Sequence, residues 1–198
     1  RSARGGVATE EVKEALGSKA FPYPKPLSLI KGLLSQASRP GDIILDFFAG
    51  SGTTGQAVLE LNAEDNGQRR FILCSSTEAN SKEPNKNLCR DVCAERLRRV
   101  MQGYGNKPAL GGSFAYLQMD LVDAADLAFE AQPEHMATLI GLREQKALLR
   151  PQAEVVSQIA GDAQVAVLLC TEVTSQSIET MCNWPAQRLV VYSMRPDT

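Results

Sequence analysis

One stretch, residues 42–55, constrains this chain more than any other: Asp-Ile-Ile-Leu-Asp-Phe-Phe-Ala-Gly-Ser-Gly-Thr-Thr-Gly. Ile43, Ile44 and Leu45, followed by Phe47 and Phe48, form a short apolar run that predicts a strand buried on both faces. Gly50, Gly52 and Gly55 then allow a tight turn, and Thr54, Ala57, Val58 and Leu61 recur on one side of a following helix. A strand, a glycine turn and a helix in this order bring backbone N–H groups close to a nucleotide-like ligand.

The three glycines match the G-x-G-x-x-G spacing, which by itself says little. Asp46, four positions before the first of them, says more. A carboxylate so near the turn repels a phosphate and attracts a cation. S-adenosylmethionine (SAM) carries an ammonium and a sulfonium and no phosphate, so the acid argues for SAM over NAD. Glu78 follows the next apolar run, residues 71–74, and is placed to accept hydrogen bonds from ribose hydroxyls. The plainer alternative is that Asp46 caps the turn and the glycines only shape it.

Composition bounds the rest. With 198 residues, 43% of them hydrophobic, the chain is expected to form one domain or one domain with an appendage. A net charge of −2 lacks the basic excess of a stand-alone nucleic-acid-binding module. No apolar run approaches the length of a bilayer span. The five cysteines, Cys74, Cys89, Cys93, Cys170 and Cys182, show no C-x-x-C spacing, and the single histidine, His135, lies in another element. No metal site is expected; reduced cysteines suit the cytoplasm. Cys89 and Cys93 share a helix face, where thiols act as small apolar side chains.

In chain order, residues 9–16 predict a short helix capped by Thr9. Three alternate prolines, Pro22, Pro24 and Pro26, force an extended path, and Pro26 suits the first turn of a helix with Leu27, Ile30, Leu33 and Leu34 inward. Lys25 in that path either approaches a carboxylate or a DNA phosphate or is simply solvated. After the glycine turn the helix runs to about Asn62, Asp65-Asn66-Gly67 makes a turn, and residues 69–74 form a second strand. Residues 88–104 predict the clearest helix, with Leu88, Val92, Leu97, Val100 and Met101 as its apolar stripe. Arg90, Arg96, Arg98 and Arg99 are assigned to its other face, solvated or meeting phosphates. Gly103 and Gly105 end it. Alternation over residues 113–119 predicts a third strand, followed by Asp120. Beyond, helices are expected over 123–129 and 134–150, the second with Met136, Leu139, Ile140 and Leu148 on one side. His135 reads as a surface residue. A strand at 165–170, a short helix at 175–182 and a strand at 189–192 form a unit that the crossover rule allows to be parallel.

Asp46-Phe-Phe-Ala-Gly-Ser-Gly-Thr-Thr resembles the SAM-binding motif of the β-class site-specific DNA methyltransferases, and Phe21-Pro-Tyr-Pro-Lys-Pro-Leu-Ser-Leu-Ile looks like the segment that precedes it in that class. With Leu61-Asn62 and Glu78, the order of these segments is most similar to the modification subunit of type III restriction–modification systems, which methylates adenine at N6. The likeness covers residues 6–121. It implies an α/β, Rossmann-like SAM-dependent methyltransferase fold of the circularly permuted class, a mostly parallel sheet with helices on both faces. That fold would be present in part, over residues 1–120, with a small α/β extension over 121–198. By resemblance, Pro24, Lys25 and Pro26 cover the methionine part of SAM, Asp46 and the backbone of Gly50, Ser51 and Gly52 hold its methionine end, and Phe47, Phe48, Ala49, Thr53 and Thr54 complete the cofactor-binding set. Glu78 holds the ribose, and Asp120 contacts the adenine ring. The implied partners are double-stranded DNA and, as options, a second copy or a restriction subunit.

The family's Asp/Asn-Pro-Pro-aromatic tetrapeptide, which positions the target amine, is missing: none of the ten prolines is adjacent to another. The expectation is therefore a C-terminal portion of a larger DNA adenine-N6 methyltransferase that binds SAM without catalytic residues of its own. The alternative is a non-catalytic Rossmann-like assembly module of a restriction–modification complex.

Overall fold

The structure is a computed structural model that describes residues 3–119, 121–123, 126, 130–144 and 154–194. It divides into two compact units, Arg1–Tyr116 and Leu117–Thr198, and it is mixed α/β, with one small sheet in each unit.

The first unit opens with α1 (Ala3–Leu16), whose Ala8, Val12 and Ala15 are buried in the i, i+4, i+7 row of one helix face. Because α1 begins before Thr9, that residue lies within the helix and does not cap it. The carboxylate of Glu11 accepts the N–H of Leu27 at 3.0 Å, so α1 places an acid at the positive end of α2 (Leu27–Ala37). Pro26 stands just before that helix. Leu27 is buried and Ile30 and Leu34 half-buried, but Leu33, expected on the inner face, is 56% exposed. Across from α2 runs α3 (Thr53–Asp65), tied to it by Lys31 through Glu60 and Glu64. Thr54, Ala57, Val58 and Leu61 of α3 are all buried, as their spacing predicts. Asn66 then ends α3 in the left-handed region, with Asp65 accepting the N–H of Gly67 at 2.9 Å.

The strands β1 (Ile43–Asp46) and β2 (Arg70–Leu73) pair in parallel, Ile43 opposite Arg70 and Asp46 opposite Leu73. One face packs: Phe71 and Leu73 rest on Ala49, Cys93 and Leu97. The other is open, leaving Ile43, Leu45 and Ile72 about half exposed, so the expected burial of β1 on both faces is not met. Nor is the third strand: residues 113–119 have no ladder partner among the described residues. Their alternation reflects extended chain. Phe114 packs against the Ala49–Cys93–Leu97 cluster, and the Arg98 guanidinium lies 5.6 Å from its ring centroid. Asp120 lies outside the described residues.

The long helix begins with a π turn, Cys89–Ala94, and continues as α4 (Glu95–Gln102). Leu88, Val92, Leu97 and Val100 are buried. The step from Val92 to Leu97 is five residues, one more than an α-helix accommodates on a face, and the π turn absorbs the extra residue. Gly103, at φ 88°, stops α4.

In the second unit the three-stranded sheet has the order β3–β4–β5, made of Val156–Gly161, Val165–Cys170 and Arg188–Ser193. β3 is a strand that periodicity did not reveal; it pairs antiparallel with β4, with a register shift between Gln158 and Ala160. β4 and β5 are parallel, as the crossover rule allowed. β4 is central and buried on both faces. Val167 and Leu169 meet Ala137 and Ile140 of α5 (Pro133–Glu144), while Ala166, Leu168 and Cys170 meet Met181 and Trp184. Leu139, expected on the inner side of α5, is 62% exposed, and Leu148 and most of 123–129 lie outside the described residues. Thr174 and Ser177 form a reciprocal capping box at the start of α6 (Ser175–Cys182).

Gly161 turns β3 into β4 at φ 92°, and a Cβ there would lie 2.0 Å from the carbonyl oxygen of Val165. Gly161→Ala is therefore expected to destabilise the second unit by at least about 2 kcal/mol, read as faster amide exchange across β3 and β4 with the first unit unaffected.

Candidate functional site

The turn between β1 and α3 is built around Asp46. Its Oδ1 accepts the N–H of Phe48 at 2.9 Å, and its Oδ2 accepts the hydroxyl of Thr54 at 2.6 Å. The carboxylate thus takes the local bonds that the plain capping alternative requires. A carboxylate has about four lone-pair positions, so room remains for a further donor. Ala49 donates to the carbonyl of Cys74 and Gly52 to that of Ala49, which closes the loop onto the end of β2. The N–H groups of Gly50 and Ser51 donate to no described residue.

Two of the glycines are required by geometry. Gly50 (φ 50°) faces the ring of Phe21, 3.3 Å from where a Cβ would stand. Gly52 (φ 78°) lies so close to the π turn that a Cβ would be 3.1 Å from the Sγ and 3.2 Å from the carbonyl oxygen of Cys93. Ser51, Thr53 and Thr54 are buried, whereas Phe47 is 64% and Phe48 90% exposed. The proline segment reaches the turn through Lys25, whose carbonyl accepts the Thr53 hydroxyl at 3.4 Å. Pro24 is buried, Pro26 half-buried, and Lys25 exposed. Glu78 sits beyond β2 in the left-handed region (φ 56°), its carboxylate 3.3 Å from the Lys86 ammonium.

Beneath the turn lies a residue that sequence reasoning placed on the solvent face. Arg96 is fully buried. Its Nε donates to Gln56 Oε1 at 2.8 Å, and its Nη1 reaches the Ser51 carbonyl (3.3 Å), the Ser51 hydroxyl (3.1 Å) and the Thr53 hydroxyl (3.0 Å). Gln56 in turn donates to Glu60 at 3.1 Å and to the Tyr104 hydroxyl at 3.3 Å. Among the described residues no carboxylate lies within 4.0 Å of the guanidinium, and its Nη2 has no partner. Burial pulls its pKa below the usual arginine range. The signal was present in the sequence: Cys89, Cys93, Arg96 and Val100 follow one another at steps of four, three and four along one helix face. The other arginines of this helix are paired locally, Arg90 with Asp91, and Arg98 and Arg99 with Glu95.

Two surface depressions are lined, one by residues of α1 from Gly6 to Glu14 together with Gly17, the other by Gln56, Glu60, Tyr104, Lys107 and their neighbours. Neither is lined by any residue of the turn from 46 to 54, which opens beside the exposed Phe47 and Phe48. Among the described residues no group of three or more His, Cys, Asp or Glu side chains is placed to hold a metal, and no helix is long and apolar enough to cross a membrane. His135 is exposed, its Nδ1 accepting the N–H of Gln132.

Burial pushes the Cys93 thiol up to about 12 from an ordinary 9.0. The folded state holds that proton where the unfolded chain loses it, so this group's contribution to stability is intact below pH 9 and falls through the window from 9 to about 12. The unfolding free energy should decline over that window by on the order of 1 kcal/mol per pH unit from this thiol, and Cys93→Ala should flatten the decline. At pH 8, alkylation followed by mass spectrometry should modify the exposed Cys74 and Cys182 and spare Cys93.

Residues 6–84 match the family described as DNA methylase. The Mod subunit of the type III restriction–modification enzyme StyLTI of Salmonella typhimurium is 38% identical over 113 residues, which are 54% of this chain and 17% of that protein. The EcoPI Mod subunit of Escherichia phage P1 is 46% identical over 135 residues, 67% of this chain and 21% of the relative. The type II methyltransferase M.KpnI of Klebsiella pneumoniae is 46% identical over 69 residues, 35% of this chain and 16% of that enzyme. The chain thus spans about a fifth or less of the length of these curated relatives. The likeness to type III modification subunits, read from residues 21–62 and Glu78, is borne out by these matches.

Proposed function

We propose that residues 1–120 are the SAM-binding part of a site-specific DNA methyltransferase acting on the exocyclic N6 amine of adenine, with a Rossmann-like core, and that residues 121–198 are an extension to it. The observation that carries this reading is the arrangement at the turn: a carboxylate at the end of β1 with acceptor capacity to spare, beside two backbone N–H groups not used internally. An ammonium-bearing ligand suits such a site; a dinucleotide diphosphate would meet the Asp46 charge. When bound, SAM supplies the methyl group from its sulfonium.

Asp46 would receive the ammonium of the methionine end, and Gly50 and Ser51 would donate to its carboxylate. Phe47, Phe48, Ala49, Gly52, Thr53 and Thr54 shape this end of the site, and the Pro24-Lys25-Pro26 segment, tethered through Thr53, covers it. Glu78 would accept from the ribose hydroxyls once it leaves Lys86. The protein's work is orientation of the donor, which converts an encounter into an in-line displacement. The tetrapeptide that positions the amine does not occur in residues 1–198; on this reading, base flipping and amine positioning come from outside them. The partners would be double-stranded DNA and, for the assembled enzyme, a restriction subunit or a second copy.

Calorimetric titration should show SAM binding to the chain, with Asp46→Asn weaker by about tenfold or more, the loss expected for a charge-assisted hydrogen bond. Equal affinity in the two proteins, or preferential binding of a dinucleotide, would refute the role given to Asp46. Tritiated methyl transfer to DNA by residues 1–198 alone is expected to be nil, and clear transfer would place the catalytic residues within them.

A further inference from the structure

The buried Arg96 has no place in the reading above, and its surroundings are unusual for a structural cation. Each of its described partners is a neutral oxygen, and three of the four belong to Ser51 and Thr53, the residues that flank Gly52 at the start of α3. A guanidinium taken out of water without a carboxylate is costly, and an apolar side chain of similar volume is often as stable or more so in such a place. What a planar fork provides that an apolar residue cannot is geometry: it grips several oxygens at once in fixed directions. Here those oxygens lie on the loop whose amides and carboxylate form the candidate site. Gly52 also sits against Cys93, three residues before Arg96, so the π turn and the guanidinium support the loop from the same side.

We infer that Arg96 is the positioning residue of the glycine turn: through Nη1 it holds the Ser51 carbonyl and the Ser51 and Thr53 hydroxyls, fixing the turn in its SAM-accepting conformation without touching the ligand. This rests on the reading of the turn as a SAM site. Gln56 anchors the clamp from behind, since its oxygen takes the Nε proton while its amide is tied to Glu60 and Tyr104. Lysine cannot replace the arginine, because a single ammonium cannot span Gln56 on one side and Ser51 and Thr53 on the other.

The test compares the wild-type chain with Arg96→Lys, Asp46→Asn and Val100→Ala, all at a temperature where circular dichroism shows each to be folded. Val100 is buried on the same helix and has no hydrogen bond to the turn, so Val100→Ala reports general weakening of the packing. Arg96→Lys should bind SAM at least tenfold more weakly while Val100→Ala stays within about twofold of wild type. In the ligand-free proteins, amide exchange at Ala49, Gly52 and Gln56 should quicken at least tenfold in Arg96→Lys and not in Val100→Ala. If Arg96→Lys and Val100→Ala behave alike in both measurements, Arg96 is a packing residue and the inference fails. Should the wild type bind no SAM, the reading of the site fails instead, and Arg96 is judged by exchange alone: unchanged protection at the turn overturns its positioning role, and selective loss there upholds it.

Discussion

The loop after β1 is held from two sides by charged groups that do different things. Asp46 closes it from the strand, using one carboxylate oxygen for the Phe48 N–H and the other for the Thr54 hydroxyl. Arg96 closes it from below, reaching Ser51 and Thr53 from a neighbouring helix. Between these grips the backbone passes through two left-handed glycines that leave little space for a side chain, against Phe21 on one flank and Cys93 on the other. The loop continues the parallel pairing of β1 and β2, because the Cys74 N–H donates to the Asp46 carbonyl and the Cys74 carbonyl accepts the Ala49 N–H where the sheet ends and the loop begins.

The two units meet the burial requirement in different ways. In the second, β4 is central and apolar on both faces, and a helix lies against each: α5 over Val167 and Leu169, and α6 with Trp184 over Ala166, Leu168 and Cys170. In the first, only one face of the sheet is packed, and Ile43, Leu45, Phe47, Phe48 and Ile72 present a substantial apolar surface. The site lies at the edge of that surface. A turn that must admit a ligand cannot be sealed by its own fold, and the exposed phenylalanines beside Asp46 are the local expression of this.

Legibility in the sequence varied with how local the determining interaction is. The buried face of α3, the Asp-Asn-Gly turn and the glycine stop after α4 rest on residues within a few positions of one another, and all were readable; the strand–helix–strand unit of β4, α6 and β5 was readable from its apolar runs and the crossover rule, although its ladder joins residues as distant as Val165 and Arg188. The third strand was not realised, because a strand needs a ladder partner and alternation alone does not provide one. β3 was missed for the converse reason: its Val-Ser-Gln-Ile-Ala-Gly sequence carries weak periodicity, and pairing with β4 through a register shift makes it a strand. Leu33 and Leu139 sit on helix faces that the periodic pattern marks as inward and that no described residue covers.

Arg96 shows most clearly where local reasoning ends. By its chemistry it belongs to the run of arginines on the long helix, and a charged side chain in such a run is assigned to the solvated face. What buries it is a set of distant acceptors: the oxygens of Ser51, Thr53 and Gln56, forty or more residues away in the chain, accept its hydrogen bonds. The amino-acid sequence alone determined that an acid would stand before a glycine turn between a strand and a helix, since backbone freedom and charge at that spacing are local properties. That a buried guanidinium would brace the turn from behind was decided only by the tertiary structure, because it depends on where a distant helix is packed and on how its face is turned.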